Sequence, residues 1–134
     1  MRHQHPVQLR WSDPDVLGHV NHARALSLVE DARVAMTSEP ALEGASRDFI
    51  LARLEVDYLR QLYYRPHEPV TVESWVTRLG TKSVTLQQDL RQDGHVALSA
   101  VAVLVAFDFA ADASRAFDAG ERSFWTTFLD RSEG

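Results

Sequence analysis

The sequence predicts an α+β domain in which one long helix lies against an antiparallel sheet. Three observations predict it. Residues 22–38, HARALSLVEDARVAMTS, hold no glycine or proline and are rich in Ala, Leu, Glu and Arg, which favour helix. Before this segment, and again from residue 49, apolar residues recur at every second position, the period of a strand with one buried face. Asp93-Gly94 stands between two such runs, a strong hairpin signal. Short turns between the later strands make neighbours antiparallel, and a single helix is available to cover one sheet face.

Taken in order, the first strand is expected over 7–11, VQLRW, where Val7, Leu9 and Trp11 alternate with Gln8 and Arg10. SDPDVLG breaks that period with Pro14 and Gly18. Asn21 stands before the helix as an N-cap. Along the helix, Ala25, Leu28, Ala32 and Ala35 form one row, and Leu26, Val29, Arg33 and Met36 a second with one charge. That breadth predicts burial on more than one side. EPALEGAS, 39–46, ends the helix. In 49–59, FILARLEVDYL, one face carries Ile50, Ala52, Leu54, Val56 and Tyr58, the other Arg53, Glu55 and Asp57.

RQLYYRPHEP, 60–69, is a connector with two prolines. Val70, Val72 and Val76 mark the next strand, with Trp75 on its opposite face. After the turn LGTKS, Val84, Leu86 and Leu90 mark another. QDGH, 92–95, turns the chain into HVALSAVAVLVAFDF, which is apolar at both parities and so predicts a long central strand covered on both faces. AADASRAFDAGE reads as a polar linker. RSFWTTFLDR, with Phe124 and Phe128 four apart, reads as a short helix or an edge strand. One helix cannot cover both sheet faces. Val101, Val103, Val105 and Phe107, or their neighbours of opposite parity, are left outside. An apolar patch of that kind predicts a symmetric oligomer.

The chain has 134 residues, the size of one domain. It has no cysteine, which excludes disulfides, a thiolate nucleophile and cysteine-ligated metals, and fits a reducing compartment. The formal charge of −5 argues against a nucleic-acid or anionic-membrane surface. No run of apolar residues is long enough to span a membrane, and MRHQHPVQLRW lacks the apolar core of a signal peptide. The expectation is a cytoplasmic protein with no nucleic-acid or membrane partner.

RWSDPDVLGHVNHAR, 10–24, concentrates the polar chemistry. Asp13 and Asp15 read either as Asx-turns around Pro14, or as one catalytic carboxylate beside the free amides of a helix start. Gly18 serves a turn or a close approach to a ligand. Asp15, His19 and His22 fall at short spacing, but no HExxH pattern accompanies them, so no metal site is expected. No serine sits in a GxSxG elbow, and no glycine-rich phosphate loop occurs. Glu30 either pairs with Arg33 or Arg24 along the helix, or faces the interior and needs a partner. Tyr58, Tyr63 and Tyr64 line a groove or simply a strand end. Arg60 and Arg65 are the basic residues near them.

WSDPDVLGHVNHARALSLVEDAR resembles the opening of the hot-dog-fold acyl-CoA thioesterases, the 4-hydroxybenzoyl-CoA thioesterase-like group. That pattern is an aromatic residue, Asp-x-Asp-x-x-Gly-His-Val-Asn, then a helix with Glu-x-Ala-Arg. Here it falls on Trp11, Asp13, Asp15, Gly18, His19, Val20, Asn21, Glu30, Ala32 and Arg33. The resemblance runs over about 7–109 of a single domain, 1–134, and leaves 110–134 as a C-terminal extension. It implies a hot-dog fold, a long central helix wrapped by an antiparallel sheet. It also implies a homodimer or homotetramer with active sites at the dimer interface.

The activity it implies is hydrolysis of an acyl-CoA thioester to the free acid and coenzyme A. Asp15 matches the catalytic carboxylate, as nucleophile or general base, and the His22 backbone N–H the donor that polarises the thioester carbonyl. Gly18 shapes the turn, while Asp13, His19 and Asn21 order the loop. Ala25, Glu30 and Tyr58 belong to the pocket or its support, and Arg60 and Arg65 to the nucleotide end of coenzyme A. No cofactor is implied, because coenzyme A is part of the substrate. The chain departs from the pattern at His22, where an asparagine is usual, and at Ala25, where a tyrosine is usual. Two other activities fit the same fold: a non-catalytic acyl-CoA or acyl-carrier binding protein, and a hydratase or dehydratase using Asp15 with His19.

Overall fold

Period-2 burial organises most of the chain. The computed structural model describes residues 1–10, 13–14, 19–38 and 48–130. The elements are β1 (His3–Val7), α1 (His22–Thr37), β2 (Phe49–Tyr58), β3 (Val70–Leu79), β4 (Ser83–Gln92), β5 (His95–Asp108), β6 (Ala113–Ser114) and α2 (Ala119–Thr127). The sheet order is β1-β3-β4-β5-β2, with β6 paired to β5, and every named pairing is antiparallel. This is the α+β class and the hot-dog topology, with α1 laid over β1, β3 and β4.

β1 lies earlier than the expected 7–11. Val7 pairs with Val70, the first residue of β3, and His3 with Ser74. The ladder stops where its partner strand begins, since Pro69 before it has no N–H to offer. Leu9 is buried beyond the ladder, and Trp11 lies outside the described residues. Pro6 is tolerated because β1 is an edge strand.

α1 starts where expected. The Asn21 side chain accepts from the Ala23 N–H at 2.9 Å, and Ser38 caps the other end. Burial is narrower than expected. Ala25, Leu28, Val29, Ala32, Arg33 and Met36 are buried, whereas Val34 is 59% exposed. The helix meets one sheet, so one face is covered. The stretch 39–46, expected to end the helix, lies outside the described residues.

β2 corrects the sequence reading in its first half. Its register with β5 shifts between Leu51 and Arg53. This bulge inserts one residue and swaps the faces. Phe49 therefore packs on Trp125, with ring centroids 5.7 Å apart, and Leu54 and Val56 pack on the core. Ile50 and Ala52, expected inside, are exposed, as is Tyr58.

β3 and β4 alternate as expected, with Val72, Val76, Val84, Leu86 and Leu90 fully buried. Trp75 takes the opposite face, under the Arg2 guanidinium at 3.7 Å. Asp93 and Gly94 turn with φ of 56° and 76°, the left-handed pair of a type I′ hairpin turn. On β5, Ala100, Ala102 and Ala106 are buried, whereas Val101, Val103, Val105 and Phe107 are only half-buried. The chain covers one face of this strand, not both.

The C-terminal segment is a helix, not an edge strand. Asp118 and Glu121 form a capping box at the start of α2. Phe117, Phe124, Trp125 and Phe128 join Met36, Leu86 and Ala102 in one core cluster. The stretch read as a polar linker carries buried Phe117. It also carries Arg115, which donates to both Glu121 carboxylate oxygens, at 2.7 and 3.0 Å. Among the described residues no helix is long and apolar enough to cross a membrane.

Candidate active site

The site forms where the chain enters α1. Asp13 is 4% exposed. Its Oδ2 accepts the Arg10 N–H at 2.8 Å, and its Oδ1 accepts from Arg24 Nε at 2.7 Å. Burial pushes the Asp13 carboxyl up. The Arg10 amide and the Arg24 guanidinium pull harder, and hold it below the usual aspartate value. This carboxylate ties the segment after β1 to the first turn of α1.

Pro14 and Val20 form an antiparallel bridge, and His19 bridges Tyr63. The Val20 N–H donates to the Leu62 carbonyl at 3.0 Å. The His19 and Tyr63 rings lie 5.2 Å apart. Asp15 and Gly18, between the bridged residues in sequence, lie outside the described residues.

The first N–H groups of a helix have no acceptor within it. Asn21 takes that of Ala23, not that of His22. Beside this helix start is a cleft of about 260 Å³. Its floor includes Val20, Ala25, Leu62 and Leu98, and its rim His22, Tyr58, Arg60 and Gln61. The floor residues are buried and the rim residues exposed. The Tyr58 hydroxyl donates to the His22 carbonyl at 3.3 Å, and the two rings lie 5.1 Å apart. The Leu59 and Arg60 N–H groups both donate to the Ala97 carbonyl, at 2.8 and 3.1 Å, which fixes the rim to β5. An apolar floor with a mixed rim at a positive helix end can hold an apolar acyl group and polarise its carbonyl.

The structure thus brings together His22, Ala25, Tyr58 and Arg60, with His19, Asn21 and Asp13 close behind. Arg65 is elsewhere. It pairs with Asp93 at 2.5 Å, beside a second depression shared with Thr71 and Arg91. Glu30 is exposed and stands eight residues along α1 from His22, about 12 Å by helical rise. The charged residue that faces inward is Arg33. Its guanidinium donates to Gln88 Oε1 at 2.9 Å, and Gln88 Nε2 donates to Ser74 Oγ at 3.0 Å. Burial pulls the Arg33 pKa below the ordinary arginine value, against the attraction of Glu30.

Nothing in the sequence marks Gln61 and Leu62 as cleft residues, or Gln92 as a partner of the connector that carries them. Gln92 bonds both backbone groups of Tyr63, and only the final alternation of β4 hinted that it is buried. Among the described residues, no group of three or more His, Asp or Glu side chains is placed to hold a metal ion.

A family model described as the thioesterase-like superfamily matches residues 9–120. Among solved structures, the chain is similar to a thioesterase from Thermus thermophilus complexed with coenzyme A and zinc. The two are 29% identical with a TM-score of 0.77, over 93% of this chain and 92% of that one. It shares its fold with a predicted thioesterase from Bacillus stearothermophilus, at 23% identity and a TM-score of 0.87, over 98% of each chain. It also shares it with a thioesterase superfamily protein from Jannaschia sp. CCS1, at 23% identity and a TM-score of 0.82, over 96% of this chain and 93% of that one. No curated protein matches the sequence.

Proposed function

This chain belongs to the thioesterase-like superfamily, and from that premise we propose that it hydrolyses an acyl-CoA thioester to a carboxylic acid and coenzyme A. The observation that carries the reading is the cleft at the start of α1, with an apolar floor at Ala25 and Leu62 and a rim at His22, Tyr58 and Arg60. The Thermus thermophilus relative, solved with coenzyme A, supports coenzyme A as the leaving group.

In this reading the acyl group enters the cleft and the His22 backbone N–H donates to the thioester oxygen. Negative charge that develops there is stabilised by the amide and the helix end. Asp15 follows Pro14, which is bridged to Val20 at the cleft floor. Its carboxylate either takes a proton from the attacking water or attacks the carbonyl carbon itself. In both cases the C–S bond breaks and the thiolate of coenzyme A leaves and is protonated. Where Asp15 is the base, water itself becomes the acid hydroxyl; where Asp15 attacks, water then hydrolyses the acyl–aspartyl anhydride, which releases the acid and restores the carboxylate. Gly18 shapes the turn, and Asp13, His19 and Asn21 hold its ends. Arg60 on the rim suits a coenzyme A phosphate. Outside the sheet, half-buried Val101, Val103 and Val105 support a homodimer or homotetramer. The protein works in the cytoplasm.

The test is thiol release from short, long, branched and aromatic acyl-CoAs. Asp15→Asn should lower kcat by about 10²–10⁴-fold. Unchanged turnover removes Asp15 from the mechanism. Tight acyl-CoA binding with no thiol release would make the protein a carrier. Loss of enoyl absorbance with the thioester intact would make it a hydratase.

A further inference from the structure

Gln92 closes β4 and is 8% exposed. Its side-chain amide acts as a neighbouring strand would. Nε2 donates to the Tyr63 carbonyl at 2.9 Å, and Oε1 accepts the Tyr63 N–H at 3.1 Å. A primary amide offers one donor side and one acceptor side in a fixed plane at any pH. Tyr63 lies in the connector between β2 and β3, outside both strands. The amide therefore replaces a ladder that the connector lacks.

The pairing continues from there. Tyr63 bridges His19, the Val20 N–H donates to Leu62, and Val20 bridges Pro14. Asn21 then caps α1. Hydrogen-bonded backbone joins Gln92 to the helix start without a gap. Val20 and Leu62 on this route are also part of the cleft floor, whereas Gln92 itself lines the separate depression beside Arg65.

We propose that Gln92 is a positioning residue for the hydrolytic site: its amide sets Leu62 and Tyr63, and through them His19 to Asn21 and the His22 N–H that faces the thioester. The catalytic consequence rests on the hydrolytic reading above; the geometry does not. A positioning error of about an ångström at such a site costs on the order of 100-fold in rate. Gln92 is two backbone segments removed, so a smaller loss of about 10-fold in kcat is expected.

Gln92→Leu removes both bonds. Gln92→Glu keeps the acceptor, but when ionised it sets an oxygen against the Tyr63 carbonyl. When protonated, the introduced carboxyl donates to that carbonyl and restores the clamp. Burial raises such a carboxyl's pKa, so kcat of Gln92→Glu should fall as pH rises, in a step the wild type lacks. The ionisable neighbours on this side are Arg65, Glu68, Arg91 and Asp93, His95 pairs with Gln92 across the hairpin, and the His19 ring lies tilted against that of Tyr63. All of these are present in both proteins, so the difference between the two profiles isolates the introduced group.

Amide hydrogen exchange on the full chain decides the geometry without any assay of activity. In Gln92→Leu, the Tyr63 and Val20 amides should exchange at least about 10-fold faster relative to Leu86 and Ala102 in the sheet, as a local opening does. Unchanged protection at Val20 overturns the proposal. Steady-state hydrolysis of the best acyl-CoA then reads the consequence. The expected result is a lower kcat with KM unchanged within about twofold, the signature of a lost transition-state contact. A residue that only stabilised the fold would lower the melting temperature and leave kcat intact well below it, and that result also overturns the proposal. If Gln92→Leu does not fold, the pH step in kcat of Gln92→Glu carries the test, and a flat profile refutes it. A wild type that releases no thiol would sink the hydrolytic reading, while the exchange data still decide on the clamp.

Discussion

Arg24 Nε lies 2.7 Å from Asp13 Oδ1, so the first turn of α1 is held to a carboxylate eleven residues before it. The Asp13 pKa is depressed below its ordinary value of 3.8, so folding favours the ionised form. That contribution is fully present above the unfolded value and is lost as pH falls through the folded one. Asp13→Asn should cost about 1–3 kcal/mol at pH 7. The gap to wild type should narrow as pH drops below about 4. Urea unfolding at pH 7 and pH 3 measures both, and an equal gap at the two values would contradict the account.

Glu121 is fully buried. It accepts from Arg115 through both oxygens and from the Asp118 N–H at 2.9 Å. Glu121→Ala takes both carboxylate bonds from Arg115, which keeps those to the Phe107, Ala116 and Asp48 carbonyls, and removes the acceptor of the Asp118 N–H; it should destabilise by about 1.5–3 kcal/mol. Glu121→Gln keeps an acceptor for Asp118 and should cost less. Chemical denaturation of the two variants gives the order. If alanine is the milder change, the pair is not what holds α2.

Ala25 sits in the cleft floor and is 5% exposed. Ala25→Tyr should fill the cleft and lower kcat/KM for bulky acyl groups about 10–200-fold relative to acetyl. A uniform loss across the acyl panel would show that the acyl group binds elsewhere.

Arg60 is on the cleft rim, while Arg65 is engaged by Asp93 beside another depression. Arg60→Ala should raise KM for an acyl-CoA about 10-fold, the loss of one charge-assisted contact. It should leave KM for the matching acyl-pantetheine unchanged. Arg65→Ala should alter neither. Equal effects of the two substitutions would place the nucleotide away from the cleft rim.

The legible and illegible parts of this fold differ in kind. The Asp93-Gly94 turn, the Asn21 cap and the alternation of β4 follow from interactions within a few residues. The shift of β1 follows from where β3 begins, and the bulge in β2 from its pairing with β5. Glu121 in a polar-looking stretch gives no local sign that Arg115 will bury it. Arg33 reads as a flaw in an apolar row until Gln88, 55 residues away, supplies its acceptor. The crowded stretch before α1 announces a site, but not that Tyr58 and Arg60 will form its rim.

The sequence by itself determined the α+β class, the position of α1, the antiparallel hairpin and the polar cluster at the helix start. These depend on period, capping and turn chemistry, which are local. Tertiary structure decided which face of the first half of β2 is inside, which arginine meets the cleft, and that Gln92 holds the connector at its floor. Those outcomes depend on contacts between residues far apart in the chain, and a hydrogen-bonding amide carries no mark of the backbone it will meet.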